Sequence, residues 1–153
     1  MPVDDMHPTP NGSSVVHSDY LRSMKKKIIH TGNAPAPIGP YSQAVQAGGM
    51  LFISGQIAIN PETGELDMTD IETETRRVMK NLQAILQAAG LNFNDVVKTG
   101  IFLSDMGHFA KVNEVYGSYF KSDFPARETV AVKTLPKNVN VEISMVALAE
   151  SLD

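Results

Sequence analysis

The chain has 153 residues, 42% hydrophobic and 20% charged, enough for one domain around a single core. Its formal net charge is -4 and its only basic block is Lys25-Lys26-Lys27, so the electrostatic footprint of a nucleic-acid binder is missing. There is no cysteine, which excludes a disulfide framework, a thiolate zinc site and a cysteine nucleophile.

Residues 1–23 are rich in Pro, Ser, Asp and Gly and follow no structural period, so they are expected to be a disordered extension or a vector-derived leader. Met24 then opens the folded domain, 24–153. Lys27–Thr31 predicts a short strand. Gly32–Pro40 is a loop stiffened by three prolines. Tyr41–Ala47 and Met50–Ile59 predict a hairpin around Gly48-Gly49, followed by the turn Asn60–Gly64. The strongest helical pattern follows: Ile71, Thr75, Val78, Leu82, Ile85, Leu86 and Ala89 recur at helical spacing. Thr69-Asp70-Ile71-Glu72 matches a capping box and Gly90 fits the stop.

Asp95–Ser104 predicts a strand. Asp105 can cap a second helix, whose buried stripe would be Phe109, Val112, Tyr116, Tyr119 and Phe120. Arg127–Leu135 and Val139–Ala149 predict the last two strands. The expected fold is α+β: one mixed sheet of about six strands with two helices on one face. The last strand becomes apolar on both sides, so a second copy of the chain is expected to cover the face without helices. No apolar run approaches the roughly 20 residues of a membrane helix. No charged stretch precedes an apolar one as in a secretory signal, and a cytoplasmic protein is expected.

Two ionisable residues stand out. Arg127 follows Phe124-Pro-Ala. An Arg ordinarily lies with its stem on a sheet edge, but its planar fork also suits a substrate carboxylate. Glu142 lies between Asn140 and Ser144, which a solvated face would explain. If a partner covers that face, the carboxylate must instead be paired, protonated or functional, and burial would raise its pKa. Tyr41 ends the proline-stiffened loop. Ser54-Gly55-Gln56 interrupts an apolar strand, a place for a kink or for a ligand near the backbone. Asn113 lies on or beside the second helix's buried stripe and needs hydrogen bonds. No Ser-His-acid motif, phosphate loop or metal-ligand spacing is present.

Ala36-Pro-Ile-Gly-Pro-Tyr-Ser-Gln-Ala44, Leu51-Phe-Ile-Ser-Gly-Gln-Ile57, Asn60-Pro-Glu-Thr-Gly64, Phe124-Pro-Ala-Arg127 and Val141-Glu-Ile143 together resemble the RidA/YjgF family of reactive intermediate deaminases. The resemblance runs from about Lys26 to Ala149. It implies a chorismate-mutase-like fold and a homotrimer with clefts between subunits. It also implies hydrolysis of 2-enamine and 2-imine acids, such as 2-aminoacrylate, to 2-oxo acids and ammonia, with no metal or organic cofactor. By matching motif, Arg127 would bind the substrate carboxylate and Glu142 would orient or deprotonate water. Tyr41, Ser54, Gly55 and Asn113 would line the pocket. Glu128 and Thr129 depart from a family pattern of a small residue followed by Cys; Thr129 is expected to serve through its backbone. Strand alternation should point Glu128 away from Arg127. The alternatives are a module that binds 2-oxo acids without turnover, and a translation inhibitor or endoribonuclease, against which the acidic balance argues.

Overall fold

The computed structural model describes residues 25–149, so the expectation for residues 1–23 lies outside the described residues. Six strands form one mixed sheet: β1 (Lys27–Ile29), β2 (Ala44–Ala47), β3 (Met50–Gln56), β4 (Val96–Leu103), β5 (Ala126–Ala131) and β6 (Val141–Leu148). Their spatial order is β1-β2-β3-β6-β4-β5. Only the β4–β5 pair is parallel. Two helices, α1 (Ile71–Ala88) and α2 (Phe109–Gly117), complete the architecture, which is the expected α+β arrangement.

The apolar stripe explains α1. Thr75, Val78, Met79, Leu82, Ile85 and Leu86 are buried, and full burial of each large aliphatic side chain contributes about 1.5–3 kcal/mol. The cap is Asp70, one residue later than the expected Thr69: its carboxylate accepts from Thr73 N at 2.7 Å, which holds the Asp70 carboxyl below the ordinary range. Gly90, at φ 74°, takes the left-handed conformation that ends the helix. In α2, Asp105 instead caps a 3-10 turn, Met106–His108, which leads into the helix.

Register assigns the faces. The paired row Ile29, Ala44, Ile53, Met145, Thr99 crosses five strands and is buried beneath the helices. It ends on β5 at Arg127, which pairs with Thr99. The row Ile28, Val45, Phe52, Val146 lies on the other side, where Ile28 and Phe52 are each about half exposed. Glu142 pairs with Phe102 on β4, and Phe102 with Val130 on β5. Directly paired residues share a face and neighbours along a strand do not. Val141 and Ile143 are fully buried, so Glu142 belongs to the helix-free face.

Several strands are shorter than expected. Tyr41–Gln43 precede β2 rather than belonging to it, because the Gln43 side chain ties this segment to the preceding loop. Beyond Gln56 the chain leaves β3, and Ile59 makes an isolated bridge to Leu66. Strand β5 ends at Ala131. Its connection to β6 places Lys137 and Asn138 at φ 54° and 55°. Asn tolerates the left-handed region; for Lys137 it is strained.

Candidate functional site

Glu142 is placed by β6 and given space by β3. Between Ile53 and Gln56 the β3–β6 register shifts, and Ser54 and Gly55 occupy the irregularity. A Cβ on Gly55 would lie 2.9 Å from Glu142 Cδ, so only a glycine lets the carboxylate rest against the β3 backbone. Ser54 is fixed from both ends: its hydroxyl donates to Ser42 O at 2.6 Å and its N–H to Gln43 O at 2.9 Å. Glu142 makes no hydrogen bond or ion pair among the described residues. Burial alone pushes its carboxyl above the ordinary value of 4.5.

This carboxylate lines a cavity of about 310 Å³ with Ser54, Gly55, Tyr41, Ile38 and Ile57. Its walls are mainly apolar. Gln43 explains how the loop closes over it. The Gln43 amide is buried; Nε2 donates to Pro35 O at 2.9 Å and Thr31 O at 3.0 Å, and Oε1 accepts from Thr31 N at 2.8 Å. One side chain thus replaces a strand partner for three loop backbone groups. The Tyr41 hydroxyl accepts from Ile38 N at 3.2 Å, bracing the tip. Sequence reasoning missed Gln43. The available signal was a polar residue at the boundary between the proline-rich loop and the apolar strand.

Arg127 stands in a second cavity, with Asn113, Tyr116, Phe124 and Pro125. Its Nη1 donates to Asn113 Oδ1 at 2.7 Å. Its guanidinium carbon lies 5.3 Å from the Tyr116 ring centre and 5.6 Å from that of Phe109, so the fork is held against two aromatic faces. Asn113 is exposed. It lies beside the buried stripe rather than on it: Val112, Val115 and Tyr116 are the helix's buried residues, and Asn113 points to β5. Tyr116 donates to Thr99 Oγ1 at 3.0 Å, and burial pushes its phenol upward.

Glu128 does face away from Arg127, as alternation requires: it pairs with Lys98 across β4 at 2.5 Å. Thr129, two residues beyond Arg127 and on its face, has a buried hydroxyl with no hydrogen-bond partner among the described residues.

Within the chain the structure therefore gathers Tyr41, Ser54, Gly55 and Glu142 in one place and Asn113 and Arg127 in another, on opposite sheet faces; Thr129 lies on the Arg127 face of β5 but does not line that cavity. Among the described residues no group of three or more His, Asp or Glu is placed to hold a metal. No helix there is long and apolar enough to cross a membrane.

Comparison with known proteins gives a consistent set. The family model described as Endoribonuclease L-PSP matches residues 31–149. The mouse protein 2-iminobutanoate/2-iminopropanoate deaminase is 45% identical over 128 residues, covering 84% of this chain and 95% of its own. The crystal structure of the Escherichia coli YjgF gene product superposes with a TM-score of 0.77 at 46% identity, covering 81% of this chain and 99% of that one. Escherichia coli TdcF with bound serine gives a TM-score of 0.78 at 43% identity, covering 82% and 99%.

Proposed function

Because the chain belongs to the endoribonuclease L-PSP family, which contains the RidA/YjgF proteins, we propose that it hydrolyses 2-enamine and 2-imine acids to 2-oxo acids and ammonia. The observation that carries this reading is Glu142: a half-buried carboxylate, unpartnered among the described residues, pushed toward proton affinity by burial and facing an apolar cavity. The mouse relative's name supports the reaction class, and the serine in TdcF supports a small amino-acid-like ligand.

The site is completed by a second copy of the chain. The helix-free face, with Ile28 and Phe52 exposed, packs against its neighbours in a homotrimer. The Arg127–Asn113 half of one protomer meets the Glu142 half of the next. Arg127 then binds the substrate carboxylate bidentately. The enamine tautomerises to the imine, whose C2 is electrophilic once its nitrogen is protonated. Glu142 takes a proton from water as the oxygen bonds to C2. It returns that proton to the nitrogen of the tetrahedral adduct. The C–N bond breaks and ammonia leaves; the C2 hydroxyl gives its proton to the Glu142 carboxylate as it becomes the carbonyl of the 2-oxo acid, and release of that proton to water balances the one the imine nitrogen first took up. No electrons are exchanged with another reactant. General acid–base action of this kind contributes roughly 10²–10⁴-fold.

RNA cleavage, named in the family description, has less to stand on. Arg127 is the only Lys or Arg lining the two cavities, and the chain is acidic overall. The test is ammonia release from 2-aminoacrylate generated in place by a dehydratase, beside RNA degradation by the same preparation. Acceleration of the first without the second is expected. Unaccelerated ammonia release by the folded protein would overturn the reading.

A further inference from the structure

Glu74 is a buried acid that the proposed reaction does not use. It lies in the first turn of α1 and is 1% exposed. No Lys, Arg or His approaches its carboxylate within ion-pair distance among the described residues. Instead it collects three N–H donors from one place. Oε2 accepts from the backbone N–H of Asn140 and of Val141, both at 2.8 Å, and Oε1 accepts from Asn140 Nδ2 at 3.0 Å. Asn140 is in turn tied to Ser104: Ser104 Oγ donates to Asn140 Oδ1 at 2.9 Å and Ser104 N to Asn140 O at 3.0 Å.

These contacts fall on the two residues immediately before Glu142. They also fall beyond the last β3–β6 pair, Gln56 with Ile143, where the sheet no longer holds β6 from that side. A helix already seated in the core thus supplies the missing restraint. We propose that Glu74 is the positioning residue for Glu142: by holding the Asn140 and Val141 peptides, it sets where the Glu142 carboxylate emerges into the cavity. This rests on the assignment of Glu142 as the group that activates water.

The contact pattern distinguishes acceptor placement from charge. Glutamine at 74 can accept both backbone N–H groups through its carbonyl. Its NH₂ then donates to Asn140 Oδ1 if the Asn140 amide turns over, and the Asn140 NH₂ donates to Ser104 Oγ. Aspartate keeps the charge but withdraws it by one carbon–carbon bond, about 1.5 Å, beyond reach of the peptides it must hold.

The experiment compares Glu74→Gln, Glu74→Asp and Glu142→Gln in the full chain. Turnover is read as ammonia release from 2-aminoacrylate, ground-state binding as the calorimetric affinity for 2-oxobutanoate, and folding by circular dichroism. We expect Glu74→Gln to stay within about 3-fold of the parent in turnover. Glu74→Asp should lose about 10–100-fold, the scale of a 1 Å misplacement, with 2-oxobutanoate affinity within about 3-fold. Four results would overturn the proposal: a Glu74→Asp protein at the parental rate, one losing turnover and affinity equally, one that does not fold, or a Glu74→Gln protein as impaired as Glu74→Asp. A fully active Glu142→Gln protein would instead remove the assignment on which the proposal rests.

Discussion

Replacing Gly55 with alanine isolates the placement of one carboxylate from the stability of the fold. The Gly55 backbone lies outside the left-handed region, so alanine adopts it without strain. The new methyl would sit 2.9 Å from Glu142 Cδ and 3.1 Å from Cγ. Ordinary carbon contacts begin near 3.4 Å, so Cδ must retreat by about 0.5 Å and the terminal oxygens by more, about 1 Å. A shift of that size at the reacting group costs about 100-fold in rate. The rotamer change costs about 0.5–1.5 kcal/mol. Loss of glycine's freedom in the unfolded chain offsets about 0.4–1 kcal/mol of it. The expected outcome is a protein melting within a few degrees of the parent, with turnover of 2-aminoacrylate down about 100-fold. Ammonia release coupled to a dehydratase, beside a thermal melt, measures both. A well-folded Gly55→Ala protein at the parental rate would refute the link between the β3 irregularity and Glu142.

Glu142 also sets the expected pH dependence: turnover falls as pH drops through its carboxyl value, which lies above 4.5, and Glu142→Gln removes that acid limb together with roughly 10²–10⁴-fold of the rate. The native state holds this proton more tightly than the unfolded chain, so the cost of the buried charge is absent in acid and develops as pH rises through the native value. Glu142→Gln should accordingly raise the melting temperature at about pH 8 and leave it nearly unchanged at about pH 4, as read by calorimetry. Thr129→Val removes a buried hydroxyl without a partner among the described residues and should leave thermal stability equal or higher.

The parts of the fold visible in the sequence were those specified locally. The α1 stripe and its glycine stop follow from helical period and left-handed freedom, and the alternation in β6 assigns Glu142 a face. Arg127 and Glu128 diverge for the same reason. Where the sequence misleads, either a neighbouring residue takes over a local role or a distant contact replaces a local one. The helix cap is Asp70 rather than Thr69, with its carboxylate accepting from Thr73 N. Tyr41 and Ser42 look like strand residues, yet the Gln43 side chain draws that segment to the loop twelve residues earlier. Helical spacing cannot separate the edge of the α2 stripe from its centre, so only the structure puts Asn113 beside it, where Arg127 donates to it. Glu74 was silent, since its partners lie 66 and 67 residues away and nothing near it in the chain announces them.

The register row that ends at Arg127 lies under the helices, and the one containing Glu142 lies on the reverse of the sheet. In the proposed homotrimer each chain would therefore carry two half-sites facing away from each other, and loss of either half need not damage the other. Arg127→Ala and Glu142→Gln chains, each inert as a pure assembly, should rescue one another when unfolded together and refolded as a mixture. With random association, about a quarter of the clefts would receive an intact Arg from one chain and an intact Glu from the next. Catalysis would then be heritable only by the assembly, and two defective genes in one cell could together make a working protein.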